Sequence, residues 1–196
     1  FGAAGNMRPK DAEPAPKPDH PEFFFKAATA LVPQGGEIVI PKDAEKVLYE
    51  GEVVVVIGKE AKKVSVEEAP DYILGITCGN DVSGSDWGGD FQAWRVKATD
   101  TFAPCGPFLV TGLDYNNLDF ELRLNGEVRQ KANTCDLIHS IPELVSFLSQ
   151  YITLRPGDLI YAGTQPPVDV IKPGDTVEVE VEGVGVLKNQ VVADKD

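Results

Sequence analysis

Leu48-Tyr49-Glu50-Gly51-Glu52-Val53-Val54-Val55-Val56-Ile57 is the stretch that decides how the rest of this chain is read. After Glu52 both alternating faces are apolar and β-branched, the pattern of a strand buried on both sides. Successive side chains on a strand point to opposite faces, so Glu50 and Glu52 point the same way, roughly 6–7 Å apart. Two carboxylates at the start of such a strand are either its solvated end or part of a cation site. Spacing alone leaves both open.

Outward from this strand, short apolar runs alternate with turns. Glu37–Ile40 reads as a strand between Gly35-Gly36 and Pro41, and Tyr72–Cys78 as another, ending in the turn-rich Gly79-Asn80-Asp81. Ser65-Val66-Glu67-Glu68 carries a helix-start signal and predicts a short helix. Thr101 to Thr111 reads as loop, then strand. Phe120 to Leu124 alternates cleanly, and Asn125-Gly126 predicts a hairpin into Glu127-Val128-Arg129. Ser140 opens the best helix, with Pro142 early, Glu143 in the first turn and an apolar stripe of Leu144, Phe147, Leu148 and Tyr151. Two Pro-Gly-Asp turns, at 156–158 and 173–175, precede strands Leu159–Ala162 and Thr176–Val181, and Gly185–Val192 is a hairpin partner of the latter. The fold class is α+β and strand-rich with few short helices. Residues 1–22, with Gly2, Gly5, Pro9, Pro14, Pro16 and Pro18, read as a short strand or turn and then an extended loop, a lid candidate; residues 23–196 form the main domain.

The chain has 196 residues, 42% of them hydrophobic, enough for one ordinary core. Its net charge of −13 comes without a Lys/Arg cluster, which excludes an ordinary nucleic-acid binder. No apolar run approaches the ~20 residues that span a bilayer, and Phe1 to Glu13 lacks a secretory apolar stretch. A start at Phe1 rather than Met points to a trimmed N-terminus. Cys78, Cys105 and Cys135 are sparse and odd in number, fitting a reducing cytoplasm. With His20 and His139 as the only histidines, a metal here is expected to be hard and held by oxygen, Mg²⁺ or Mn²⁺. It would also provide the local cation that an anionic substrate needs in so acidic a protein.

Four further segments complete a pattern with the Glu-x-Glu strand. They are Gly79-Asn80-Asp81-Val82-Ser83, Lys97-Ala98-Thr99-Asp100-Thr101-Phe102-Ala103-Pro104, Arg155-Pro156-Gly157-Asp158 leading to Ala162-Gly163-Thr164, and Val184-Gly185-Val186-Leu187. In this order, from about Phe23 to Val192, the chain resembles the catalytic domain of the fumarylacetoacetate hydrolase family. The resemblance implies a mixed β-sandwich roll, usually a homodimer, acting on a small carboxylate substrate. It implies Glu50, Glu52 and Asp81 as metal ligands, Lys97 beside the substrate's oxygens, and Thr164 bonding a substrate carboxylate through its hydroxyl or backbone. Lys97 also reads as a surface lysine and Thr164 as a turn residue. Asp100 either orients Lys97 or satisfies the loop backbone.

Three departures from the family stand out. Members that hydrolyse carry Asn-Tyr-x-x-His-x-x-Glu near their start, where the His–Glu pair activates water. The match here is Asn6 to Glu13, with Glu13 kept and Lys10 in the histidine's place. A lysine at its usual pKa near 10.4 is a poor base. His20 is an alternative base, although Pro18-Asp19-His20-Pro21-Glu22 also reads as the approach to the Phe23-Phe24 strand. Ser83-Gly84-Ser85-Asp86 lacks the family's carboxylate-clamping arginine, for which Arg95 is the stand-in. Gly163-Thr164-Gln165-Pro166-Pro167-Val168 has proline where the family loop has glycine.

The expected activity is therefore metal-dependent hydrolysis of a C–C bond in a 2-oxo or 1,3-diketo acid. The alternative is an isomerase, tautomerase or decarboxylase of the same substrate class, because an enolate formed without a water-activating base is reprotonated or loses CO₂. A non-catalytic binding protein retaining the fold is the third reading.

Overall fold

The computed structural model describes residues 1–13 and 15–195. Pro14, read above as part of the N-terminal loop, lies outside the described residues. Seven strands form the main sheet, in the order Glu22–Phe24, Gly2–Ala4, Leu159–Tyr161, Gly51–Ile57, Ile73–Asn80, Ala103–Val110 and Leu31–Val32. Gly51–Ile57 lies at its centre and every one of its residues is buried, as its unbroken apolar run requires.

A second sheet of five strands, in the order Glu127–Asn133, Asp119–Leu124, Thr176–Val181, Gly185–Ala193 and Glu37–Ile40, packs against one face of the first. The core fills the space between them, with Val53 and Val55 meeting Ile76, Leu122, Val179 and Leu187. This is the expected sandwich. Fully burying a Val or Leu contributes roughly 1.5–3 kcal/mol, so the layer holds much of the fold's stability. Val54 points the other way, into a smaller cluster with Ala30, Ala103 and Tyr161. Period two puts Glu50 and Glu52 on that second face, away from the sandwich core. A small third sheet joins Val47–Leu48 to Val170–Ile171 and Ser83–Gly84.

The hairpin at Asn125-Gly126 forms with both residues at positive φ, 54° and 82°, which suits the tight turn expected there. The helix Ile141–Tyr151 starts where Ser140 and Glu143 predict, with the Ser140 backbone N–H donating to the Glu143 carboxylate at 2.7 Å. Its buried stripe differs from the expected one. Ile141, Leu144, Val145 and Leu148 face the core, while Tyr151 is 73% exposed and Phe147 stacks on His20 and Phe23.

The helix expected after Ser65 is also corrected. Ser65 and Glu68 do bond reciprocally, at 3.0 and 3.2 Å, but only a 3₁₀ turn, Ala69–Tyr72, follows. Pro70 has no N–H to extend a helix. Gly2–Ala4 is a strand inside the main sheet, parallel to Leu159–Tyr161, so the N-terminal segment begins as sheet before it becomes loop. No helix among the described residues is long and apolar enough to cross a membrane.

Candidate active site

Antiparallel pairing of Gly51–Ile57 with Ile73–Asn80 sets Gly51 opposite Asn80 and Glu52 opposite Gly79. Glu50 and Asp81 therefore meet just beyond the ends of the two strands. The Asp81 N–H donates to Glu50 O at 2.8 Å, and the Glu50 N–H donates to Asn80 Oδ1 at 2.9 Å. One carboxylate oxygen from each of Glu50, Glu52 and Asp81 lies within 4.8 Å of the others. Gly79 is required by crowding: a Cβ there would stand 2.3 Å from Val54 and 2.6 Å from Tyr161.

Two lysines converge on this cluster. Lys97, on the short helix Trp94–Ala98, reaches both oxygens of Glu50 at 3.0 Å, Asp81 Oδ2 at 2.7 Å and Ser83 Oγ at 2.5 Å. Lys26 Nζ forms an ion pair with Asp81 Oδ1 at 2.5 Å and donates to the Lys97 carbonyl at 2.7 Å. The rings of Phe24 and Tyr161 lie 5.7 and 5.8 Å from the Lys26 ammonium.

The charges are unequally matched. Burial raises the Asp81 pKa, but Lys26 and Lys97 outweigh it and hold the group below its ordinary value. Glu50 is pushed up to about 7, by burial first and by Asp81 next, despite Lys97 and Ser83. Glu52 is pushed well above its ordinary value by burial, Asp81 and Glu50; the Gly163 N–H donates to it at 2.7 Å, and neither lysine pairs with it. Three carboxylates thus face two ammonium groups, and the buried Glu52 is the one left without a directly paired cation. The donor set is all oxygen and mostly buried, which suits Mg²⁺ or Mn²⁺.

Glu50, Glu52, Lys97 and Thr164 line one cavity of about 540 Å³, within the usual range for small-molecule sites. Thr164 is fixed by its neighbours: its hydroxyl donates to Gly51 O at 2.9 Å and accepts from Gln130 Nε2 at 3.0 Å. Gln130 also accepts from the Gly51 N–H at 2.9 Å and donates to Gln165 O at 2.5 Å. It ties the Glu-x-Glu strand to the Thr164 loop.

The other expected site residues lie elsewhere. Arg95 makes two bonds to Asp90, at 2.6 and 2.9 Å, its guanidinium lies 5.1 Å from the Trp87 ring centre, and it does not line the cavity. Asp100 is exposed and outside the cavity lining. Lys10 and Glu13 are both exposed and neither lines the cavity. His20 stacks on Phe147 at 5.5 Å, its Nδ1 lies 3.5 Å from Glu22 Oε1, and it does not line the cavity. His139 is buried beside the helix start, its N–H bonded to Asn6 Oδ1 at 2.8 Å.

Sequence reasoning missed Lys26 and Gln130. Lys26 left one signal, a lysine ending the apolar run Phe23-Phe24-Phe25. Gln130, on a strand otherwise read as half of an ordinary hairpin, left none.

Known proteins share this arrangement of chain and fold. The crystal structure of a 5-carboxymethyl-2-hydroxymuconate delta-isomerase from Mycobacterium smegmatis superposes with a TM-score of 0.95 at 40% identity, covering 100% of this chain and 78% of that one. A mitochondrial oxaloacetate tautomerase of Bos taurus is 40% identical over 190 residues, 90% of this chain and 60% of the relative. A fumarylpyruvate hydrolase from Pseudomonas aeruginosa, solved in complex with Mn²⁺ and pyruvate, has a TM-score of 0.83 at 32% identity, covering 89% of this chain and 79% of that one. The profile of the fumarylacetoacetate (FAA) hydrolase C-terminal domain matches residues 2–192. On that match and those identities, the chain belongs to the fumarylacetoacetate hydrolase family.

Proposed function

We propose that this chain is a divalent-metal-dependent enzyme that interconverts the enol and keto forms of a small 2-oxo carboxylic acid. The observation that carries this reading is the distribution of bases. Glu50, Glu52 and Lys97 line the cavity, whereas Lys10 and Glu13, at the positions that the resemblance gives to water activation, are exposed outside it. Hydrolysis needs a base aimed at water; tautomerisation needs only a proton moved between oxygen and the neighbouring carbon.

Glu50, Glu52 and Asp81 would hold Mg²⁺ or Mn²⁺, which when bound supplies Lewis-acid stabilisation of charge on the substrate's enolate oxygen. Lys97, bonded to Glu50 and Asp81, adds a positive charge at the cavity wall that would offset charge developing on the same headgroup. The Thr164 hydroxyl proton is committed to Gly51 O, so the Thr164 backbone N–H is the group assigned to a substrate carboxylate. Gln130 keeps that loop in register with Glu50 and Glu52.

C–C bond hydrolysis is the second reading. It is favoured by Glu22, which lines the cavity and whose carboxylate lies 3.5 Å from His20 Nδ1 outside it, a pair that would serve as the missing base.

The experiment is a product assay with Mg²⁺ or Mn²⁺ on oxaloacetate and acylpyruvates, following the ultraviolet enol band and analysing the acids formed. Loss of the enol band with the carbon skeleton intact supports the tautomerase. Two smaller acids support the hydrolase, and CO₂ release a decarboxylase. Activity that persists unchanged in Glu50→Ala and Glu52→Ala sinks all three.

A further inference from the structure

We infer that the cavity selects 2-oxo or enol acids whose far end is apolar and disfavours those with a second carboxylate there. This rests on the reading of the site as one for 2-oxo carboxylates. At about 540 Å³ the cavity holds more than a pyruvate-sized headgroup beside Glu50, Glu52 and Lys97. Its other lining side chains include Met7, Phe23, Ala93, Pro166 and Val168, while the Phe24 ring lies 4.6 Å from the Lys97 ammonium. Lys97 is the only cation among its described lining residues, and its ammonium is already shared by Glu50, Asp81 and Ser83.

The charged group left over is the wrong one for a diacid. Glu22 lines the cavity with its side chain 74% exposed, at the rim. No arginine is among the described residues that line the cavity, and Arg95 is turned to Asp90. A second carboxylate entering this arm would lose hydration against apolar walls, gain no cation and meet Glu22. Selectivity built from a repelling group and a missing donor discriminates by rejecting the wrong ligand as much as by holding the right one.

The test uses two unreactive probes of equal carbon number and identical headgroup, 2-oxopentanoate and 2-oxopentanedioate. Each is titrated calorimetrically into the full chain at saturating Mg²⁺. The expected result is 2-oxopentanoate binding at least about tenfold more tightly, with the gap narrowed at least about threefold by Glu22→Gln. Val168→Arg, which places a cation on the apolar wall, is expected to reverse the preference. Equal binding, or tighter binding of 2-oxopentanedioate, would overturn the inference while leaving the headgroup reading intact. Failure of both probes to bind would overturn that reading and this inference with it. A gap unmoved by Glu22→Gln would remove Glu22 from it.

Discussion

Lys26 Nζ stands 2.5 Å from Asp81 Oδ1, with only 4% of one side chain and 1% of the other exposed. Burial alone drives the Lys26 pKa down, and Asp81 is what opposes it. Breaking a buried pair leaves one charge uncompensated, which typically costs about 3–5 kcal/mol. Lys26→Met is expected to lose stability on that scale in urea unfolding. The double variant Lys26→Met/Asp81→Asn should recover part of the loss, because no lone charge stays behind. A double variant less stable than Lys26→Met would contradict the pairing.

The metal-free protein should also weaken as pH rises. Glu50, with its pKa raised from 4.5 to about 7, binds a proton more tightly folded than unfolded, as does Glu52. The stability that Glu50 contributes is full below 4.5 and is lost as pH climbs through about 7, and the contribution of Glu52 has the same sign. For Glu50 alone the loss is on the order of 3 kcal/mol. Asp81 has the opposite sign: its contribution is present above 3.8 and is lost as pH falls through its lowered value. A divalent cation needs the ionised carboxylates, so it should raise Tm more at pH 7.5 than at pH 5. Thermal melts in Mg²⁺ and in EDTA at both pH values measure this. An equal gain at the two would argue against Glu50 and Glu52 as ligands.

What was legible in the sequence is what local periodicity controls. Glu50 and Glu52 share a face because strand side chains alternate, and Asp81 follows a strand whose apolar run was plain, so their convergence needed only the pairing of two neighbours. Lys26 and Gln130 depend on contacts far along the chain: Gln130 is 79 residues from Gly51, and no local pattern reports that distance. The helix that carries Lys97 was not foreseen. It opens behind Gln92 and Ala93 at φ 60° and 51°, with no side-chain cap, so the usual start signals are missing. Ser65–Glu68 is the reverse case, a real start signal with Pro70 too close behind it.

Gln130 is expected to act through position. Its side chain accepts from Gly51, between the two glutamates, and donates to Thr164 Oγ1 and Gln165 O. Gln130→Leu removes these bonds, with a longer one to Pro167 O at 3.4 Å, and leaves the buried Gly51 N–H without that acceptor. A stability loss of about 1–3 kcal/mol is expected for one such orphaned group. The substrate's KM should rise while Mn²⁺ affinity changes little, because Glu50 and Asp81 are also fixed by Asn80 and by each other. Steady-state kinetics with parallel Mn²⁺ titration separates this from general loosening, in which both would worsen together.

Arg95 offers the sharpest contrast between sequence expectation and geometry. It stands two residues before Lys97, and the Ser83-Gly84-Ser85-Asp86 segment lacks an arginine, so it was the natural stand-in for a carboxylate clamp. Its guanidinium instead makes a two-pronged bond to Asp90, lies 3.7 Å from Asp43 and sits near the rings of Trp87 and Trp94. With 37% of its side chain exposed, the pair contributes little to stability once solvent screening is counted. Its two bonds to Asp90 lie within the 85–95 loop that leads into Lys97. A clamp and a loop anchor respond differently to variation. If Arg95 anchors, Asp90→Asn should lower kcat about as much as Arg95→Met does, since either breaks the same contact. If it clamps substrate, Asp90→Asn would free the guanidinium and lower KM, while Arg95→Met would raise KM by a hundredfold or more, as expected for the loss of a charged bidentate partner. Steady-state kinetics on the two variants distinguishes these, and the observed bonds to Asp90 favour the first.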